Sequence, residues 1–503
     1  MVNSELQYNA NTVELNSVHS TCVHCSAGCQ LEYQVRAGSI HSIKNNSQFT
    51  SLCAAGNFGS DFFKSTVKDE TVLNNAVVAM QKAEAIRFSS MITNEEVHIL
   101  QLIKEKFGIK LFNEDARLYG EFMKAYSSVS GKLHHSGSLN AIAQAQAAIV
   151  IGGRVTTDNP AVSYALLNAS NNNDAKIVYA HPIEDVLMQN SATQFIKYEA
   201  GSEEGVMALF ANELLRHIEL SDEDRAYFDD LDLGYIEAES NVGADELEAI
   251  TESFSGAQNC VFIVGSDVFA HHRATNIAKF AAIIEKYTSF SLVVIPSEAN
   301  SVGTSLIADL DKDEKIENIV SVFEGSDLTL SALNRQEGTV VSIDNEVLRL
   351  NIALELDGYT LSDLANRLGI VKEKSIDYTM NNFLDLYSKK SEEYVLEEVA
   401  ELPEYNGTVI YYCNPIVQFN AYTNIASELE NDSSLRGSAQ FASVARVSDG
   451  DLVEIHLGSE VIKRVFKLDE ELKGTIALNP SFDINRDKGL YKFLKSNIMR
   501  VEK

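Results

Sequence analysis

Residues Thr21–Phe62 read TCVHCSAGCQLEYQVRAGSIHSIKNNSQFTSLCAAGNFGSDF, and they hold four of the six cysteines of the chain. These four follow the spacing C-x2-C-x3-C-x23-C and are Cys22, Cys25, Cys29 and Cys53. Three thiols therefore lie in one tight loop, where Gly28 permits a sharp bend of the backbone. Because four converging thiolates are the usual ligands of a cubane [4Fe–4S] cluster, this spacing predicts one such cluster.

The segment between the third and fourth cysteines alternates polar and apolar residues on both sides of Ala37-Gly38. This pattern predicts a β-hairpin that returns the chain so that Cys53 lies beside the other three thiols. His24 lies inside the loop. Since four cysteines complete a cluster, we expect His24 to support the ligands from outside rather than to bind iron.

Two other uses of the cysteines remain open. A zinc site usually pairs C-x2-C with a second C-x2-C or with two histidines, and a triplet plus a single cysteine fits that pattern less well. A disulfide or an empty site is disfavoured, because no secretory signal precedes the cysteines and the residue is scarce elsewhere. We therefore favour the iron–sulfur cluster over zinc, and zinc over a disulfide.

The chain has 503 residues and a net charge of −31. A chain of this length is too long to fold around a single hydrophobic core, and it indicates about three domains. The acidity argues against nucleic acid as a partner, because phosphate binding needs basic patches. No apolar run approaches the roughly 20 residues that span a membrane, and the first residues lack the apolar core of a signal peptide. We expect a cytoplasmic protein that does not insert into a membrane itself.

Beyond residue 65, strands alternate with helices of about 10–15 residues, as in parallel α/β sheets. Buried strands are predicted immediately before Gly152-Gly153 and before Gly265. Ligands of such sheets bind at the carboxyl ends of the strands. Neither glycine site has the G-x-G-x-x-G fingerprint, so we expect tight strand-to-helix turns rather than nucleotide sites.

The remaining cysteines and the histidine pairs offer weaker candidates. Residues adjacent in sequence do not face one another on a helix, so His134-His135 and His271-His272 are expected to be surface or packing residues. Cys260 and Cys413 lie in apolar strands, where a thiol behaves as a small hydrophobic group. We predict that both are inert core thiols.

The predicted fold class is α/β, with four regions along the chain. Residues 1–20 form a polar tail, and residues 21–65 form a small β iron–sulfur domain. Residues 66–395 form Rossmann-like parallel α/β domains, and residues 396–503 form a C-terminal β-barrel-like domain.

Together these features resemble the molybdopterin oxidoreductase superfamily. More narrowly, they resemble the large peripheral-arm subunits of bacterial NADH-quinone oxidoreductase, respiratory complex I. The run CVHCSAGC followed by L-C-x2-G, which includes Gly56, is similar to the cluster domain of the superfamily. EGTVVSIDNEVLRLNIAL at 337–354 resembles a segment of the complex I subunit, and PSEANSVG at 296–303 resembles another family loop. Residues 447–480 resemble the terminal barrel of molybdenum enzymes.

Two departures from the superfamily bear on the cofactor. Its molybdenum enzymes carry a metal ligand after a run like NEDARLYG at 113–120, and the matching position here is Tyr119. They also place a lysine after the fourth cluster cysteine, where this chain has Ala55. Tyrosine is a poor ligand for this metal, and alanine cannot bridge to a pterin. The resemblance therefore implies that the fold is kept while molybdopterin is absent.

The resemblance implies a non-catalytic iron–sulfur subunit of a complex I-type electron-transfer assembly. Most of the chain would then be a scaffold for partner subunits at the cytoplasmic face of the inner membrane. The ferredoxin-like part that begins such subunits has no counterpart here, so we expect a shortened paralogue or a part of a larger protein. The alternative is a catalytic molybdopterin-dependent oxidoreductase, such as a formate dehydrogenase, with an unusual metal ligand. A binding protein with a zinc-filled site is a third hypothesis.

Overall fold

The structure is a computed structural model. It describes residues 14–47, 51–61, 68–322, 330, 333–356, 358–370, 394–403, 405, 407–418, 423, 426–457, 460–484, 489–495 and 497–501. The chain divides into two compact units. The first comprises residues 1–120, 296–386 and 416–430, and the second comprises residues 121–295, 387–415 and 431–503.

The first unit contains two three-stranded sheets and a hairpin among its described residues. The antiparallel sheet has the order Asn16–Thr21, Gln30–Arg36, Ser39–Asn45. The parallel sheet has the order Ile319–Val322, Ala85–Phe88, Lys110–Phe112. The hairpin pairs Gly338–Val341 with Val347–Leu350. The helices are Ala54–Phe58, Glu70–Lys82, Asn94–Phe107, Ser301–Ile307 and Leu361–Arg367, with the start of Glu114–Ser130.

Helix Asn94–Phe107 illustrates how the local sequence sets these elements. Its N-cap Thr93 forms a capping box with Glu96, and it ends at Gly108, whose φ of 68° is left-handed. Both features satisfy backbone groups that a helix end leaves unpaired. Its apolar face packs into a core between the helices and the parallel sheet of this unit.

The second unit is built on a five-stranded parallel sheet. Its strand order is Phe290–Val294, Cys260–Val264, Ala147–Ile151, Lys176–Ala180, Gln194–Ile196. The central strands are buried along their whole length, as expected for a sheet covered by helices on both faces. The helices are Leu139–Ala143, Val155–Asp158, Pro160–Asn173, Glu203–Leu215, Asp222–Asp229, Leu233–Ser240, Ala244–Ser253 and Ala274–Tyr287.

The same unit carries a curled, seven-stranded C-terminal sheet. Its order is Phe493–Lys495, Val409–Cys413, Ile476–Pro480, Leu435–Gly437, Glu460–Leu468, Leu452–Leu457, Asn497–Arg500. A core that includes Phe441 and Phe466 packs against it. The predicted α/β class with a small β domain and a late β domain is confirmed.

Several boundaries differ from the sequence expectations. Strand Asn16–Thr21 lies inside the predicted tail, because its residues pair with Gln30–Arg36 across the sheet. Helix Ala439–Ala445 lies within the region predicted as a C-terminal β domain, and the side chain of Ser438 caps its start. The two units are also discontinuous in sequence, unlike the predicted regions. The predicted end of the cluster domain near residue 65 lies outside the described residues.

The helices of the described part of the chain bear on membrane insertion. None of the helices found there combines the length and the apolar character that crossing a membrane requires.

Candidate metal centre

The loop that carries the first three cysteines is closed by its own backbone. The Cys22 N–H donates to the Cys29 carbonyl oxygen over 2.8 Å, directly beyond the paired strands. Gly28 has a φ of 63°, and a Cβ atom there would overlap the Leu348 side chain. Glycine is therefore required at this position both for its left-handed backbone and for the close approach of the neighbouring hairpin.

Two other segments of the first unit hold this loop in place. The Ile343 N–H donates to the Ser26 carbonyl oxygen over 2.7 Å, and the Thr21 hydroxyl donates to the Arg349 carbonyl oxygen over 2.9 Å. The Ser26 hydroxyl donates to the Pro296 carbonyl oxygen over 3.2 Å. These contacts come from the segments at 337–354 and 296–303. The loop is therefore fixed by parts of the chain about 270 or more residues away.

The predicted hairpin returns the chain towards the loop, and Cys53 lies immediately before a short helix. The turn has positive φ at both Ala37 (50°) and Gly38 (76°), which matches the twist of a two-residue hairpin. Helix Ala54–Phe58 begins immediately after Cys53. A Cβ atom at Gly56 would lie 3.5 Å from the Cys22 sulfur, so the helix start touches the loop.

The four thiols interact electrostatically with one another. Burial raises the pKa of Cys22 well above its ordinary value, and Cys29, Cys25 and Cys53 raise it further. Burial likewise raises the pKa of Cys25, and Cys29 and Cys53 add to this. Four thiolates this close would repel each other, so an added cation is needed to stabilise them. Among the described residues, no three His, Cys, Asp or Glu side chains are close enough together to hold one metal ion. In a cubane cluster each thiolate binds a different iron, so its four ligands need not lie that close together.

His24 and Ala55 define what surrounds the thiols. Burial lowers the pKa of His24 to about 4, so the ring is neutral at pH 7. A Cβ atom at Gly59 would lie 2.8 Å from the His24 ring, which places the ring against the end of the short helix. Ala55 is fully buried among Ala426, Leu429 and the partly buried Ile416. A lysine at position 55 would have to place its charge in this apolar contact.

The run at 113–120 forms the start of helix Glu114–Ser130. The Ala116 N–H donates to the Asn113 side-chain oxygen over 3.1 Å, as in a helix cap, and Arg117 pairs with Glu114. Tyr119 is buried, and burial raises the pKa of its phenol. The phenol therefore stays protonated and neutral at pH 7, whereas a metal ligand would have to lose its proton.

The second candidate place is the carboxyl edge of the five-stranded sheet. The Gly265 N–H donates to the Ile151 carbonyl oxygen over 2.8 Å, and the Asp267 N–H donates to the Gly152 carbonyl oxygen over 3.0 Å. A Cβ atom at Gly265 would overlap the Gly152 carbonyl oxygen. The glycines therefore let two loops approach each other closely, which agrees with the predicted tight turns.

A buried group of ionisable residues lies beside these loops, and it was not predicted from the sequence. The carboxylate of Asp267 accepts hydrogen bonds from Lys492 (2.6 Å), Tyr411 (3.0 Å) and His181 (3.2 Å). Burial alone would raise the pKa of Asp267, but Lys492 and His181 lower it to about 2. We call these four residues the Asp267 cluster. Its only sequence signal is an acidic residue just after a buried strand, and Lys492 lies 225 residues further along the chain.

The other predicted residues are placed as packing groups. Cys260 and Cys413 are buried in strands of the second unit, as predicted. His135 and His271 are buried rather than at the surface. The ring of His271 packs edge-on against Tyr491 at 5.3 Å.

Comparison with known proteins agrees with this geometry. Residues 15–65 match the family model described as "Molybdopterin oxidoreductase Fe4S4 domain". The structure is similar to acetylene hydratase from Pelobacter acetylenicus, with a TM-score of 0.65, 11% identity and 92% of each chain covered. The protein thus has an Fe4S4 domain and the molybdopterin oxidoreductase fold.

Two curated relatives have a narrower similarity. Both are described as NADPH-Fe(3+) oxidoreductase subunit alpha, from Geobacter sulfurreducens strains DL-1 / KN400 and ATCC 51573 / DSM 12127 / PCA. Each is 25% identical over 228 residues, which covers 40% of this chain and 27% of the relative. The chain therefore matches only about a quarter of the length of these relatives.

Proposed function

We propose that the protein is an iron–sulfur subunit of an NADH-quinone oxidoreductase (complex I)-type electron-transfer assembly. One [4Fe–4S] cluster would be bound by Cys22, Cys25, Cys29 and Cys53. The observation that carries this proposal is that four thiols interact electrostatically inside a segment that matches an Fe4S4 domain. Such a cluster supplies reversible one-electron transfer, with a potential set by its surroundings.

The residues around the thiols fit this group. Gly28 and Gly56 leave room at the places where the loop and the helix approach each other. His24 is neutral, and its ring packs on the helix that follows Cys53. It would keep Cys53 in position without adding charge. The hydrogen bonds of Ser26 and Thr21 would hold the loop rigid during a change of cluster charge.

The proposal includes the absence of molybdopterin. Two positions within the first unit support it. Ala55 packs against apolar side chains, so a lysine at this position would have no polar group near its charge. Tyr119 is a buried, protonated phenol rather than an anionic metal ligand. The rest of the chain would then act as a scaffold for other subunits, which would hold it at the cytoplasmic face of the inner membrane. The relatives are described as a subunit alpha, which is consistent with a role for this chain in a multi-subunit assembly.

A second candidate is a catalytic molybdopterin-dependent oxidoreductase, such as a formate dehydrogenase. The observation in its favour is the similarity of the fold to a molybdopterin enzyme over 92% of the chain. A fold hosts many functions, so this similarity does not select the chemistry. A catalyst would need a metal ligand other than Tyr119.

The decisive experiment is anaerobic purification followed by assay of iron, acid-labile sulfide, zinc and molybdenum in one sample. We expect about four irons and four sulfides per chain, with no molybdenum. Stoichiometric molybdenum would instead identify a catalyst, and zinc in place of iron would leave only the fold assignment. Recovery of redox subunits with an affinity-tagged chain would then test the assembly.

A further inference from the structure

Two adjacent glutamates begin helix Glu203–Leu215 in the second unit, and both side chains are buried. Their surroundings differ. Glu204 accepts hydrogen bonds from Arg273 Nε over 2.8 Å and from Asn276 over 2.7 Å. The Ala400 N–H donates to its other oxygen over 2.9 Å. A guanidinium therefore balances the charge of Glu204, and both of its oxygens are satisfied.

Glu203 has no such cation in contact. Its Oε1 accepts from the Tyr491 hydroxyl over 2.5 Å and from the Tyr198 hydroxyl over 3.4 Å. Its Oε2 has no hydrogen-bond partner among the described residues, although the atom is buried. His271 Nε2 lies 3.6 Å from this oxygen. A fully buried carboxylate with one unsatisfied oxygen is strongly disfavoured in its charged form.

The histidine does not supply the missing charge. His271 Nε2 lies 2.9 Å from the Gly201 carbonyl oxygen, and Nδ1 accepts from the Arg273 N–H over 3.1 Å. These two bonds assign the proton to Nε2 and leave Nδ1 without one. Burial also lowers the pKa of His271. The ring is therefore neutral and donates to a carbonyl group rather than to Glu203.

The other groups that face Glu203 come from several elements. Asp267 and His181 follow two strands that flank the central strand Ala147–Ile151, and they bind each other. The Asp267 charge disfavours a second charge on Glu203. Lys492 is bound to Asp267. Tyr198, Tyr491 and Tyr405 are neutral phenols whose own pKa values are raised by burial and by Glu203. His181 and the backbone N–H of Glu203 itself, at the N-terminus of its helix, favour the charged form, but burial outweighs them.

We propose that Glu203 is a buried proton-binding site whose charge state controls how firmly residues 491–493 are docked. Burial raises the pKa of Glu203 to about 7, while the hydrogen bond from Tyr491 opposes this rise. The protonated carboxyl is neutral and compatible with its buried place. When the proton is lost, the charged carboxylate has no hydrogen-bond donor at Oε2 among the described residues. Water can reach Oε2 only if the side chain that covers it moves.

Tyr491 is that cover. Its hydroxyl donates to Glu203 and accepts from the Gly201 N–H over 3.0 Å. The next two residues anchor the same segment, since Lys492 binds Asp267 and Phe493 is fully buried. Deprotonation strengthens the hydrogen bond from Tyr491, but burial raises the pKa of Glu203 by more than this bond lowers it, so the charged form favours states in which water reaches the carboxylate. Residues 198–205 and 491–493 are therefore expected to open more often above pH 7.

The sign of the linkage follows from the raised pKa. The ordinary pKa of a glutamate is 4.5, below the value of about 7 in the fold. Protonation of Glu203 therefore stabilises the folded state fully at low pH. This stabilisation is lost as the pH rises from about 4.5 through about 7.

Infrared spectroscopy of the full chain in D₂O tests the proposal directly. We expect the carbonyl stretch of a protonated carboxylic acid at about pH 6, its loss by about pH 8, and its absence at both values in E203Q. E285Q is the matched control. Glu285 is also buried and accepts from a tyrosine, Tyr126, but its other oxygen has backbone donors at Ser136 (3.2 Å) and Leu292 (3.3 Å). This variant should keep the band.

Two further measurements keep the proposal testable if E203Q folds poorly. Y491F removes a hydrogen bond that favours the charged carboxylate, so the midpoint of the band should move upward by about one pH unit. Hydrogen exchange at residues 198–205 and 491–493, corrected for the intrinsic pH dependence, should rise above pH 7 in the wild type but not in E203Q. A wild type without the band, or a band that titrates unchanged in Y491F, would overturn the proposal.

Discussion

The cysteine loop and the Asp267 cluster are two regions that gather charged or ionisable groups, and they balance charge in opposite ways. In the loop, burial and the neighbouring thiols raise the pKa values of Cys22 and Cys25, and the main groups that shift them include no lysine or arginine. In the Asp267 cluster, the carboxylate is surrounded by a lysine, a histidine and a tyrosine from the same unit. Clustered thiolates require an outside cation. A buried carboxylate that already has its cation needs none, but the fold is destabilised when that cation is removed.

The largest effect is expected from C53S, which removes one thiolate ligand. Iron content should fall from about four per chain to a small fraction, together with the cluster absorbance. C260S is the matched control, because Cys260 is a buried strand thiol of the second unit and should leave the iron content unchanged. Full iron retention in C53S would show that this residue is not a ligand.

G265A should have the largest effect on folding in the strand-end region. The new Cβ atom would overlap the Gly152 carbonyl oxygen and come within 2.8 Å of Gly153 Cα. The two loops must then separate, and we expect a loss of about 3 kcal/mol in the free energy of unfolding. Urea denaturation measures this loss. G234A, where the nearest atom would be 3.9 Å away, is the control and should change stability by less than about 1 kcal/mol.

K492M should have a smaller effect that depends on pH. It leaves Asp267 buried without its cation, and because the Lys492 side chain is 20% exposed we expect a loss of about 2 kcal/mol at pH 7. The pKa of Asp267 is about 2, below the ordinary 3.8. Its stabilisation is therefore present above about pH 4 and is lost as the pH falls towards 2.

The difference in the free energy of unfolding between K492M and the wild type should therefore become smaller in acid. Lys473, which pairs with Glu184 while 73% exposed, offers the control K473M. A surface pair of this kind should contribute less than about 0.5 kcal/mol at any pH. An equal loss in both variants would mean that the buried position of Lys492 is unimportant.

The sequence was sufficient for features that depend on neighbours in the chain. The hairpin at Ala37-Gly38, the capping box at Thr93 and the strand before Gly152 follow from local periodicity and turn chemistry, and the structure has all three. The strand Asn16–Thr21 was missed because its residues are polar, and only pairing with Gln30–Arg36 stabilises them as a strand. The helix Ala439–Ala445 was not predicted within the C-terminal β domain, because helix and strand patterns are hard to distinguish in a segment of seven residues.

The same distinction between local pattern and distant contact applies to the candidate site. The cysteine spacing alone predicts the four thiols as ligands, because three cysteines in one loop and a fourth after a hairpin form a local pattern. The supports of that loop come from Pro296 and Ile343, and the Asp267 cluster and the Glu203 site join residues more than 200 positions apart. Tertiary structure alone decides such contacts, since the ionisation of a buried group depends on the donors and charges that folding places around it, and sequence order does not specify them.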